Sequence, residues 1–432
     1  MHLSKSEFAA EFVIAVWVFA SVGQQGSVAA QTGASSTSST VASVRVKPKT
    51  GASPQPFQLE MQPPQVISDG SRFPYLWTTR NGTALLEVAT GGRIYHTAEG
   101  DLNLFQSGFF ISRDGLRTWQ PWHQPAVDRT APWIEGGEIQ LSDGTVLMFE
   151  YMVDLKEKGK FEGRMWRSRD EWQTIEGPEK FSVSVPRFDS HSGADNGGPF
   201  PALPFHRTVL ALPNGDLLAT VYGQFEEDTT PSEYQAIMTK SRCFTLLSHD
   251  QGKNWSYLST IAFKPVEQEG FGEPSTVRLS HGPHQGRLIC LMRTGRVNPI
   301  YQSESDDEGK TWSPAHPLEW MYSPFGHRRS LVGTDPDIIE MHDGTLVVSF
   351  GHKPDFMDDG DFIAFSTDQG ETWNQVTRLH MERTMAYTTV QEIEPDVLYV
   401  TYSMGGDSTL PQPRWKVVGR RIIVRRNPEQ PN

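Results

Sequence analysis

The sequence predicts an all-β chain, and within that class a six-bladed β-propeller of four-stranded antiparallel sheets. Three observations predict it. Among 432 residues, 38 Gly and 30 Pro are too many for a helical bundle, while 11% aromatics, with 12 Trp and 23 Phe, are too many for a disordered chain. A Ser-x-Asp-x-Gly-x-x-Trp motif returns at intervals of about sixty residues, or longer where an insertion intervenes. A turn dipeptide leading into an apolar run precedes the copies. Repeated hairpins closed around an axis protect their sheet edges, so radial repetition accommodates all three observations.

In chain order, Lys5 precedes nine apolar residues, Phe12 to Ala20, and then Val28-Ala29-Ala30, which together read as a signal peptide over residues 1–30. Nine residues cannot cross about 30 Å of hydrocarbon as a helix. Residues 31–56 are rich in Ser, Thr, Gly and Pro and read as a flexible linker. The propeller is expected over residues 57–427. The chain is therefore expected to be secreted or periplasmic, without membrane insertion once the signal is removed.

The repeat motif stands at Ser112-Arg-Asp114-Gly115, closing on Trp119, and at Ser248, Ser305 and Ser366, closing on Trp255, Trp312 and Trp373. A degenerate copy, Ser168-Arg-Asp170-Glu-Trp172, lacks the Gly. Ser and Asp side chains satisfy backbone N–H groups of a tight turn, Gly supplies positive φ, and Trp packs between units. The motif is structural, and no catalytic role follows from it. The turn dipeptides are Asn81-Gly82, Asp143-Gly144, Asn214-Gly215, Gln285-Gly286, Asp343-Gly344 and Pro395-Asp396, each opening an apolar strand. An insertion from Asp189 to Pro204 interrupts the series, and Trp415 to Arg425 is expected to complete the last blade beside Phe57 to Met61.

This repeat is the Asp-box, and with six blades the chain from about residue 65 to 425 resembles the exo-α-sialidase (neuraminidase) superfamily of BNR/Asp-box proteins. The innermost strands begin near Arg72, Glu135, Arg207, Glu273, Asp335 and Tyr387, facing the funnel. The resemblance implies that Ser71-Arg72-Phe73-Pro74 supplies a carboxylate-gripping Arg, whose rigid fork suits that ligand. It implies an acid/base Asp about eleven residues before Ser112, which is Asp101, with Glu99 and His96 in reserve. Gly272-Glu273-Pro274, followed by Arg293 at the end of the next strand, resembles the family's Glu base and second carboxylate-binding Arg. Met385-Ala386-Tyr387 resembles the strand carrying its Tyr nucleophile, whose proton Glu273 would accept. The family's third Arg has no counterpart, because no Arg lies between Arg329 and Arg378; Lys353 is the nearest cation and lacks the fork. Asp335, and with it Asp337, would reach sugar hydroxyls.

Net charge is −13, from 39 Lys plus Arg against 52 Asp plus Glu, which opposes binding to nucleic acid or anionic membranes. Cys243 and Cys290 lie in apolar runs and are expected to be buried free thiols. No cofactor and no metal are expected: His281-x-x-His284 and the Asp358, Asp359, Asp361 cluster read as turns. The expected partner is a glycan or glycoconjugate substrate, and the expected state a monomer. The expected function is retaining hydrolysis of a terminal acidic sugar, sialic acid or a relative. Two alternatives stay open: a glycan-binding propeller without chemistry, and an enzyme acting on uronate-containing polysaccharide, with His96 or His352 moving protons.

Overall fold

The structure is a computed structural model describing residues 55–97, 100–123, 130–131, 137–193, 198–200, 202–233, 238–264, 266–295, 297–322, 327–352, 360–405 and 415–427. At 91–97, 100–107, 130–131, 189–193, 198–200, 320–322 and 327–329 only the backbone is described. The expected signal peptide lies outside the described residues, as does nearly all of the expected linker.

Every regular element among the described residues is a β-strand. Up-and-down meanders follow one another. Ser71–Thr78, Ala84–Thr97, Gly100–Ser112 and Gln120–Pro121 form the first, with Thr130–Ala131 added to its third strand. Gly272–Arg278, Leu288–Arg293, Tyr301–Ser305 and His316–Pro317 form another, and Thr334–Glu340, Leu346–His352, Gly360–Ser366 and Asn374–Arg378 a third. In the last, Thr384–Glu394, Val397–Gly405 and Trp415–Arg426 are completed by Phe57–Met61, paired antiparallel with Phe57 opposite Arg426. The expected closure of the chain's two ends into one sheet is thus present.

The middle departs from separate four-stranded sheets. The paths Glu138–Gln140, Val146–Phe149, Lys160–Ser168, Glu176–Ser184 and Val209–Ala211, Leu217–Phe225, Arg242–Ser248, Asn254–Ala262 belong to one 12-stranded sheet. They join because their outermost strands run parallel, Ser182 to Ser184 against Asn254 to Ser256. The insertion also contributes strands: Phe188–Gly193 pairs with Leu217–Phe225, and Ala202–Pro204 with Met152–Glu157.

The turn signals fold as their chemistry requires. Gly82, Gly144, Gly215, Gly286 and Gly344 all have φ between 84° and 99°, and Asp396 takes φ 62° where no Gly is present. At the Ser248 motif, Ser248 Oγ donates to Asp250 Oδ1 at 2.9 Å and accepts the Gly252 N–H at 2.9 Å, while Asp250 Oδ1 accepts the Asn254 N–H at 2.9 Å. The degenerate copy builds the same turn through Ser168, Asp170 and Thr174. Two positions differ from expectation: Leu116 (φ 62°) and Trp172 (φ 68°) occupy the left-handed site that Gly252, Gly309 and Gly370 fill elsewhere. Both side chains are buried, so apolar packing offsets the steric cost of positive φ.

The motif tryptophans link neighbouring sheets. Trp119 Nε1 donates to Tyr399 Oη at 3.1 Å and Trp373 Nε1 to Gln302 Oε1 at 3.1 Å, while within the 12-stranded sheet Trp255 lies edge-on to Phe149 and Phe205 at 5.6 and 5.0 Å. Turns of one sheet touch motifs of the next, as Thr83 Oγ1 does Glu171 at 2.8 Å and the His284 N–H does Gln369 at 3.2 Å. Motifs and turns therefore share one end of the molecule, because strands one and three of a meander run the same way. Cys243 and Cys290 are buried free thiols, and burial pushes the Cys290 thiol up to about 12. Asp361, expected in a solvated turn, is fully buried between His380 Nε2 at 2.7 Å and Thr384 Oγ1 at 2.8 Å.

Candidate active site

At the opposite end, five innermost strands among the described residues carry the same backbone kink. Phe73, Arg207, Glu273, Asp335 and Ala386 all sit at left-handed φ, between 43° and 67°. In four of the five the pairing register slips across the kink: Arg72/Tyr75, Gly272/Ser275, Thr334/Asp337 and Thr384/Thr388. A bulge of this kind re-aims the side chain at its tip, and left-handed non-Gly residues, costing about 1–3 kcal/mol each, gather at functional sites. The innermost strands were expected to begin near Arg72 and Tyr387, and the kinks fall one residue away, at Phe73 and Ala386.

Three of the expected residues converge. Tyr387 is buried, its ring edge-to-face with Phe73 at 4.7 Å, and its Oη donates to Glu273 Oε1 at 2.9 Å. Arg293 ends the strand next to Glu273, opposite Gly272, and its Nη1 donates to the same Oε1 at 2.7 Å while lying 3.5 Å from Tyr387 Oη. Glu273 Oε2 is buried and makes no hydrogen bond among the described residues. Arg293 has a second carboxylate beside it, since Nε is 2.6 Å from Glu269 Oε1. Its charge is balanced within the protein by Glu269 and Glu273, as a buried guanidinium requires.

The other expected residues are placed differently. Arg72 is half-buried with its guanidinium over the Phe73 ring at 5.4 Å, and burial lowers its pKa. It therefore reaches the ring against which Tyr387 packs. Asp335, expected to bind sugar, is fully buried, paired with Arg207 and accepting the Thr388 N–H at 3.2 Å. Asp335 thus has no exposed surface, and its Oδ2 is bonded to protein. Asp337, likewise buried, accepts the Val390 N–H at 2.8 Å. Asp101 lies in Gly100–Ser112 opposite His96, and the side chains of both are outside the described residues. Glu99 and Lys353 are outside them entirely.

Sequence reading missed Glu269, Tyr151, Tyr222, His206 and the task of Arg207. Tyr222 Oη lies 3.3 Å from Tyr151 Oη, and burial, then Tyr151 and Glu273, push its pKa well above the phenol range. Glu269 was reachable by asking what would neutralise a buried Arg293. Arg207 was reachable because it shares the strand position of Glu273. Chemically, a buried phenol hydrogen-bonded to a carboxylate can lose its proton to that carboxylate as it attacks an electrophile.

Residues 110–324 match the family model of a BNR repeat-like domain. The chain is 29% identical over 151 residues to the anhydrosialidase of Macrobdella decora, covering 33% of this chain and 18% of that protein, so it spans about a fifth of this curated relative. Among solved structures it is similar to a protein of unknown function from Dyadobacter fermentans DSM 18053, with TM-score 0.59, 17% identity, and 85% and 99% of the two chains covered. It is also similar to the Hadza microbial sialidase Hz136, with TM-score 0.52, 16% identity, and 81% and 65% covered. A third similar structure is the α-L-arabinanase of Penicillium chrysogenum complexed with arabinobiose, with TM-score 0.54, 14% identity, and 83% and 98% covered. At such identities the likeness is one of fold, an all-β architecture like that of sialidases and arabinanases.

Proposed function

We propose that this chain, a member of the BNR-repeat, sialidase-like superfamily, is a retaining exo-glycosidase in which Tyr387 is the nucleophile and Glu273 its proton acceptor. The single observation that carries the reading is the 2.9 Å hydrogen bond from Tyr387 Oη to Glu273 Oε1 in a buried site at the kinked ends of the inner strands. A phenol of ordinary pKa, about 10, is a poor nucleophile unless a base takes its proton during attack.

In the first step Tyr387 Oη bonds to the anomeric carbon, its proton passes to Glu273, and the bond to the leaving oxygen breaks as an acid protonates that oxygen. Asp101 is the residue assigned to that acid. In the second step Asp101 takes a proton from water, the water oxygen bonds to the anomeric carbon, and Tyr387 departs and recovers its proton from Glu273. Two displacements retain the anomeric configuration. Arg293 Nη1 donates to Glu273 Oε1 and so orients that carboxylate toward Tyr387. Arg72, with Lys353 as the remaining cation of the set, recognises a carboxylate on a terminal acidic sugar such as sialic acid. The meanders fit six blades, the 12-stranded sheet counting as two whose outer strands have joined. The Phe12 to Ala20 run supports export to the periplasm or beyond.

A second reading, a neutral terminal sugar such as arabinofuranose, is favoured by one observation: the Arg293 fork already lies between Glu269 and Glu273. Purified protein assayed on chromogenic sialosides, arabinofuranosides and uronate-containing polysaccharides separates the readings. Sialoside turnover that vanishes in Tyr387→Phe and falls sharply in Arg72→Ala supports the first. Turnover of arabinofuranoside alone supports the second. Glycan binding without turnover, indifferent to Tyr387→Phe, would remove the enzyme reading altogether.

A further inference from the structure

We propose that Arg207, Asp335 and His206 form a buried brace that positions the Tyr387–Glu273 pair, holding backbone atoms of Thr388 and Pro274, the residues that follow the two. The proposal rests on the reading of Tyr387 and Glu273 as the reacting pair.

All three brace residues are buried, at 3%, 0% and 1% exposure. Arg207 Nη1 donates to the Thr388 carbonyl at 2.7 Å, and Arg207 Nη2 pairs with Asp335 Oδ2. The same Oδ2 accepts the Thr388 N–H at 3.2 Å. One ion pair thus holds both backbone polar atoms of the residue after Tyr387, and its two charges come from two other meanders. On the other side, His206 Nε2 lies 3.6 Å from Asp335 Oδ1, while Nδ1 donates to the carbonyl of Pro274, the residue after Glu273, at 3.3 Å. The His206 ring stands edge-on between Tyr151 and Tyr222, 6.0 Å from each. The brace therefore connects the strands that carry Glu273 and Tyr387 through the backbone atoms of Pro274 and Thr388.

A buried ion pair contributes little net stability compared with a well-packed apolar substitute, so this network is better explained by its directionality. Glu273, Asp335, Arg207 and Ala386 are all left-handed, and such backbone persists only where surrounding groups over-determine it. Here the brace residues fix the peptides next to two of those kinks. A loosened brace would let the phenol and carboxylate drift apart by fractions of an ångström, and a misplacement near 1 Å can cost about a hundredfold in rate.

The test places 3-fluorotyrosine at position 387 of the full chain and compares 19F NMR spectra of the parent, Asp335→Asn, Arg207→Lys and Asp337→Asn. Asp337 is the control: it is buried on the same strand and holds the Val390 N–H at 2.8 Å, three residues past Tyr387. The brace predicts a shifted or split resonance in Asp335→Asn and Arg207→Lys, an unmoved one in Asp337→Asn, and cooperative melting in all. On whichever glycoside the parent cleaves, Asp335→Asn should lower kcat by about tenfold to a hundredfold and leave KM within about threefold. An unmoved resonance in folded Asp335→Asn and Arg207→Lys, or equal movement in Asp337→Asn, overturns the proposal. Should Asp335→Asn not fold, Arg207→Lys, which keeps the charge and loses the fork, decides. The fluorine readout needs no turnover, so an inactive parent removes the glycosidase reading while the resonance still decides the brace.

Discussion

The two ends of the strands are built on opposite principles. At the motif end, sequence and geometry repeat together: Ser112, Ser168, Ser248, Ser305 and Ser366 each donate to the Asp two residues on, at 2.8–3.0 Å. At the axial end only the backbone repeats. The same left-handed kink presents Phe73, Arg207, Glu273, Asp335 and Ala386, five residue types at one geometric position. Where residue and geometry recur together, the requirement is a local turn. Where geometry recurs and residues diverge, a common scaffold is presenting different groups to one point. That contrast locates the site independently of any resemblance to known enzymes.

The comparison predicts that damage at the two ends has different consequences. The largest effect belongs to the proposed reacting pair: Glu273→Gln should lower turnover by about 10²–10⁴-fold, far more than its loss of stability accounts for, measured by steady-state kinetics beside calorimetry. Next comes Gly351→Ala. A Cβ there would lie 2.1 Å from the Ala386 Cα, a backbone collision beside Tyr387. It should cost about 1–3 kcal/mol or more of stability and reduce kcat together with it, read by denaturant unfolding and turnover. At the motif end, Ser248→Ala removes a fully buried hydroxyl and leaves the Gly252 N–H without its 2.9 Å acceptor. Unfolding should show a loss of about 1–3 kcal/mol, and turnover of the remaining folded protein should be unchanged. Activity loss out of proportion to stability loss there would break the division between the two ends.

The smallest effect concerns the motif end and pH. His316 has its pKa raised, chiefly by its hydrogen bond to Glu304; burial pushes Glu304 up, but hydrogen bonds from His316, Ser313 and Gln302 outweigh it and hold that carboxylate at about 2. For a histidine raised in the folded state, the stabilisation is complete below its ordinary pKa, about 6.5, and disappears as pH rises through the raised value. For Glu304 it is present above the ordinary carboxylate range and lost as pH falls toward about 2. Melting temperature should therefore decline slightly above neutral pH in the parent, and His316→Gln should flatten that limb.

How much could be read from the sequence follows the same division. Turn dipeptides and Asp-boxes act through bonds spanning two to four residues, so the strands and the hairpins were legible. Glu273, Arg293 and Tyr387 were legible because three short motifs carry them and the structure brings them together. The Arg207–Asp335 pair was not, since its members lie 128 residues apart and meet only when two meanders close on the axis. Asp335 was accordingly assigned to the substrate, whereas its partners in the structure are Arg207 and the Thr388 N–H. The joining of Ser182 to Ser184 with Asn254 to Ser256 was hidden for the same reason, as pairing between outer strands leaves no local signature. Leu116 and Trp172 escaped because tertiary packing overrides the preference for Gly at positive φ.

The central claim is that Tyr387 bonds covalently to the sugar. Incubating the protein with a fluorinated glycosyl fluoride of the sugar it cleaves, which slows breakdown of a glycosyl intermediate, and mapping the digest by mass spectrometry tests it directly. The account predicts a glycosyl adduct on the peptide containing Tyr387, and none in Tyr387→Phe. An adduct on Glu273 or another carboxylate, or product of inverted configuration with no adduct, would contradict it.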